Sequence, residues 1–114
     1  MIELNEKSWE SIYKSGEPTL VEVCSDNCVP CKMLGKVLEQ IDEQEDCDFA
    51  IAKLNGEFIS GISELSGISS VPTLILMENK TLHILPRVFQ KQQVFDKVCE
   101  VLKGRETTDE TKAI

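Results

Sequence analysis

The run Thr19-Leu-Val-Glu-Val-Cys24 constrains this fold more than any other segment. It is apolar on both faces apart from Glu22. A strand with one wet face alternates apolar and polar residues, whereas a strand apolar on both faces belongs inside a sheet covered on both sides. The stretch from Val29 to about Gln44 follows after a short loop, with Met33, Leu34, Val37, Leu38 and Ile41 at helical spacing on one apolar face. A buried strand leading directly into an amphipathic helix is the opening of a layered α/β domain.

The remaining elements fit that frame. Ile2-Glu-Leu4 reads as a short first strand, and Asn5 as the N-cap of a helix that buries Trp9, Ile12 and Tyr13 and stops at Gly16-Glu-Pro18. Phe49 to Leu54 reads as a strand, and Phe58, Ile59, Ile62 and Leu65 as a short helix ending at Gly67. Thr73 to Glu78 and Thr81 to Leu85 are strands joined by a tight turn at Asn79-Lys80, since Asn tolerates positive φ. Val94, Phe95, Val98, Val101 and Leu102 mark a closing helix. The expected fold is a central mixed sheet with helices on both faces: parallel pairing with right-handed crossovers early, an antiparallel hairpin at one edge. Residues 1–103 form the domain, and the polar stretch 104–114 reads as a disordered tail.

Charge narrows the partners. With 20 acidic against 12 basic residues the chain carries about -8, which opposes binding to nucleic acid or to an anionic membrane surface. No apolar stretch approaches the ~20 residues of a membrane span. The N-terminus shows no charged leader followed by an apolar run, so a cytoplasmic location is expected.

Five cysteines are present: Cys24, Cys28, Cys31, Cys47 and Cys99. An odd, unevenly spaced set is not the disulfide framework of a small secreted domain. Cys28-Val-Pro-Cys31 lies at the strand-to-helix junction. There the first sulfur faces the positive end of a helix, which favours its thiolate, and the second lies one turn in. Pro30 suits the first helical turn, where a missing N–H costs nothing. Half of a zinc site is the competing reading. Zinc needs about four ligands, and the single histidine, His83, falls in the distant hairpin. The spacing Cys24-x3-Cys28-x2-Cys31 also matches a cluster-binding signature of radical S-adenosylmethionine enzymes, but those need a far larger barrel. Cys24, Cys47 and Cys99 read as small buried hydrophobes.

Asn27-Cys28-Val29-Pro30-Cys31-Lys32, together with Gly67-Ile-Ser-Ser-Val-Pro-Thr73 just before a strand, resembles the thioredoxin family over roughly residues 2–103. The resemblance implies a thioredoxin-like α/β fold and a thiol–disulfide oxidoreductase in which Cys28 attacks and Cys31 resolves. It also implies a cis bond before Pro72, although only ~5–6% of X-Pro bonds are cis. Val71 would then offer backbone groups to the substrate, with Asn27, Val29 and Pro30 completing the contact surface. Glu22 stands where the family has a buried acid and Lys53 where it has that acid's partner, so the pair is expected to serve proton transfer at Cys31. A solvent-facing Glu22 is the alternative.

Asn27 and Val29 depart from the family's Trp and Gly, and Cys24 from its aromatic residue. Lys36 replaces a frequent Pro, and the Gly that the family places near Arg87-Val-Phe89 is missing. The expected activity is reduction of protein disulfides, with electrons from a flavin-dependent disulfide reductase. No cofactor is expected on this chain, because it lacks a Gly-rich dinucleotide motif. The second hypothesis is a binding or adaptor module whose dithiol is slow or regulatory.

Overall fold

The computed structural model describes residues 1–43, 48–85 and 90–113, with side chains through residue 103. The elements are β1 (Ile2–Leu4), α1 (Glu6–Ser15), β2 (Thr19–Cys24), α2 (Val29–Asp42), β3 (Ala50–Asn55), β4 (Thr73–Glu78), β5 (Thr81–Ile84) and α3 (Lys91–Ala113). Two 3-10 segments, Gly56–Gly61 and Ser63–Leu65, lie between β3 and β4. The sheet order is β1-β3-β2-β4-β5. β3 runs parallel to both β1 and β2, while β4 is antiparallel to β2 and to β5. β2 is therefore central, and all six of its residues are buried.

Strand alternation divides the core. Leu20, Ile51, Leu74 and Leu76 pack with Leu34, Leu38 and Ile41 of α2 and with Val94 and Val98 of α3. Val21, Val23, Ala52, Leu54, Ile75 and Met77 pack on the other face with Trp9 and Leu65. The period of two therefore turns Glu22 and Cys24 of β2, and Lys53 of β3, toward the α2 side.

The ends of α1 follow from its residues. The Asn5 side chain accepts from the Ser8 N–H at 2.9 Å, and the Ser8 hydroxyl accepts from the Asn5 N–H at 2.7 Å. Gly16 closes the helix at φ 74°, a left-handed conformation glycine adopts freely. Asn5→Ala removes the cap and is expected to cost about 1 kcal/mol, read as a lower urea midpoint at unchanged slope. The β4–β5 hairpin turns through positive φ at both Asn79 (50°) and Lys80 (63°).

Two expectations need correction. The helix expected over 58–65 is instead two 3-10 segments, because Ile62 between them is extended at φ -122° and ψ 103°. Met33 is 58% exposed rather than buried, and Cys31 takes its place in the stripe Cys31, Leu34, Leu38, Ile41. The backbone of α3 is helical to Ala113. Gln44, Cys47 and Arg87-Val88-Phe89 lie outside the described residues. No helix among the described residues is long and apolar enough to cross a membrane.

Candidate active site: a disulfide at the start of α2

β2 delivers the chain to the end of the sheet, and residues 25–28 turn it into α2. Cys28 is the N-cap, with extended backbone at φ -104° and ψ 107°. Its Sγ accepts from the Cys31 N–H at 3.2 Å, so sulfur fills the role that a capping oxygen usually has. Pro30 sits in the first turn, where its missing N–H leaves nothing unpaired. Cys28 and Cys31 are joined by a disulfide with Cα atoms 5.2 Å apart. Cys28 is half-buried and Cys31 only 4% exposed. Asn27 is exposed, and Val29 on the other side of Cys28 is 66% exposed.

Beneath the disulfide lies a cavity of about 400 Å³ lined by Glu22, Cys24, Cys31, Gly35, Glu39 and Lys53, among others. Glu22 is 1% exposed, and its Oε2 has no hydrogen-bond partner among the described residues. Burial pushes its carboxyl up to about 7; the Lys53 ammonium holds it down, and the Glu39 carboxylate adds to the rise. Gly35 of α2 faces this acid, since a Cβ there would lie 3.5 Å from Glu22 Oε1. The small residue leaves the carboxyl its space.

Lys53 is in register with Glu22 across β2 and β3. No hydrogen bond or ion pair joins them; Lys53 Nζ instead pairs with Glu3 Oε1 at 3.7 Å. Cys24 is buried, and its Sγ donates to the Leu54 carbonyl at 3.7 Å. Burial raises its thiol pKa, and the Glu22 charge adds to that rise. Among the described residues, no group of three or more His, Cys, Asp or Glu is arranged to hold a metal ion.

The Val71–Pro72 peptide bond is cis, and Pro72 is buried. Thr73 pairs with Val23, so the loop ending at Pro72 reaches the sheet at the end from which the disulfide loop leaves. Among the described residues, neither the N–H nor the C=O of Val71 enters a backbone hydrogen bond. Sequence reasoning missed Gly35 and Glu39. The one signal for them was their position four and eight residues after Cys31, on the helix face that overlies β2.

This mixed five-stranded sheet with helices on both faces, and a cysteine pair capping a helix beside a buried acid, define a thioredoxin-fold redox protein of the oxidoreductase kind. The thioredoxin family model matches residues 1–100. The chain is 30% identical over 100 residues to a thioredoxin of Chlorobaculum thiosulfatiphilum, covering 86% of this chain and 93% of that one. It is 30% identical over 78 residues to the chloroplastic M-type thioredoxin of Spinacia oleracea, covering 68% of this chain but only 43% of the spinach protein. In three dimensions it resembles Trxlp of Edwardsiella tarda EIB202, with a TM-score of 0.72 at 23% identity, covering 86% of this chain and 98% of that one. The chain belongs to the thioredoxin family.

Proposed function

We propose that this chain is a protein-disulfide reductase working through Cys28 and Cys31. The observation that carries the reading is the asymmetry of the pair. The half-buried Cys28 caps the helix, whereas Cys31 is almost fully buried one turn in. In the reduced protein the unpaired N–H groups of the first turn favour the Cys28 thiolate. That thiolate attacks one substrate sulfur, the substrate S–S bond breaks, and a mixed disulfide forms while the leaving sulfur takes a proton. Cys31 then loses its proton and attacks Cys28 Sγ. The second substrate thiol departs, and the Cys28–Cys31 disulfide closes. Two electrons have passed to the substrate, and a flavin-dependent disulfide reductase returns them.

Glu22 is the proton acceptor for Cys31 in this reading. It lines the same cavity, and a pKa of about 7 lets it hold or release a proton near neutrality. Lys53 tunes that carboxyl by its charge. The Val71 backbone, beside Pro72, holds the substrate as an added strand in this reading, with Asn27, Val29 and Pro30 completing the contact surface. Reduction of a protein disulfide is expected with wild type and not with Cys28→Ser. Equal rates for the two would sink the reading and leave the binding-module hypothesis.

A further inference from the structure

Glu22, Lys53 and Glu3 stand in register across β2, β3 and β1. The ammonium of this row therefore lies between two carboxylates, one buried and one at the edge of the sheet. Lys53 Nζ goes to the outer one, 3.7 Å from Glu3 Oε1. Glu22 Oε2 is left without a hydrogen bond among the described residues. Solvent decides the choice. An ammonium paired with Glu22 would give up water to enter the cavity, whereas the Glu3 side chain is 80% exposed. The other groups around Glu22 do not replace the missing cation. Its own strand adds the Cys24 thiol, and β4 places Leu74 opposite. From α2 come the Cys31 sulfur and the exposed Glu39, with Lys32 and Lys36 exposed at the rim, and the loop after β2 adds Asp26. The Met1 ammonium is taken by Asp42 at 3.0 Å. Among the described residues no cation forms an ion pair with Glu22.

We propose that Glu3 is a positioning residue for the reaction: it holds the Lys53 ammonium at the edge of the sheet, away from the acid that serves Cys31. The inference rests on the reductase reading and adds to it a residue that acts only through Lys53. A buried carboxyl in a close ion pair gives up its proton easily and is then a weak base. With Lys53 drawn outward, burial prevails and Glu22 stays near 7, where it can take the Cys31 proton and release it again. Glu39 works in the same sense but by direct repulsion from α2. The two exposed carboxylates thus act on one buried acid by separate routes.

A carbon-13 titration of the Glu22 carboxyl in the oxidised protein reads the effect without requiring catalysis. Glu3→Gln, an exposed change that the fold tolerates, frees Lys53 toward the acid. It is expected to move the Glu22 midpoint down by about half a pH unit, whereas Lys53→Met moves it up. Because Glu3 acts through Lys53, Glu3→Gln should move nothing further once Lys53→Met is in place. Glu39→Gln should lower the midpoint in either background. An unmoved midpoint in Glu3→Gln, or an equal shift with Lys53→Met present, overturns the positioning role. In the reduced protein the pH inflection of the resolving step should follow the carboxyl midpoint across the same variants. A midpoint that moves while the inflection stays overturns Glu22 as the proton acceptor, and Glu3's part in the reaction with it. If wild type reduces no disulfide, the reductase reading fails, and the midpoints alone decide whether Glu3 holds Lys53 from the acid.

Discussion

Cys31→Ser is expected to stall as a covalent complex with its disulfide substrate, while Cys28→Ser forms none. The order follows from exposure and position. Cys28 is the half-buried sulfur at the helix end, where unpaired N–H groups stabilise negative charge. Cys31 is 4% exposed, so an incoming protein disulfide meets Cys28 first. Without Cys31 no neighbouring thiol displaces the substrate. Cys24 cannot replace it, because its sulfur is buried against the Leu54 carbonyl and its pKa is raised. Multiple-turnover reduction should fall by at least about a thousandfold in either variant, as when one member of a catalytic unit is removed. Intact-mass spectrometry distinguishes them. An adduct on Cys28→Ser, with none on Cys31→Ser, would reverse the assignment of the two sulfurs.

Glu22→Gln should remove a large pH dependence of stability. The unfolded chain releases this proton near 4.5, whereas the folded protein holds it up to about 7. Between those values the folded state binds more protons than the unfolded state. Stability therefore falls as pH rises from about 4.5 to about 7, and is level above. A gap of that size corresponds to about 3 kcal/mol. Glutamine cannot ionise, so the variant should show no such decline, whatever constant offset its amide brings. Urea titrations at pH 5 and pH 8 measure the difference. An equal decline in both proteins would mean that Glu22 is not the group responsible. The same substitution should also remove an inflection near pH 7 from the rate of the resolving step, which separates proton transfer at Cys31 from packing alone.

Much of the scaffold was legible because single residues carry it. Asn5, Gly16 and Asn79 each sit where a cap or a positive φ is required, and β2 announces its central place by being apolar on both sides. Met33 lies off the buried face for a physical reason. Cys31 belongs to the apolar stripe as well as to the chemistry, and a face counted from it, rather than from Met33, is the one that is buried. Ile62 hides the break between the 3-10 segments, because its spacing from Ile59 and Leu65 is also that of a continuous helix. Glu22 and Lys53 were legible as neighbours but not as an unbonded pair, since Glu3 competes for the ammonium from β1. The cavity could not be read. It brings Gly35 of α2 against Glu22 of β2 and Lys53 of β3, and no local pattern records that approach.

Trp9 has an optical consequence. It is the only tryptophan of the chain and is 1% exposed, and its indole N–H donates to Glu64 Oε1 at 2.9 Å. It packs with Val21 and Val23, whereas α2 packs on the opposite face of the sheet. Its fluorescence should therefore follow melting of the fold and stay nearly constant when the sulfur bridge opens. One emission band can then monitor unfolding of the oxidised and reduced forms on the same scale. The difference between the two curves gives the free energy that the bridge lends to the folded state.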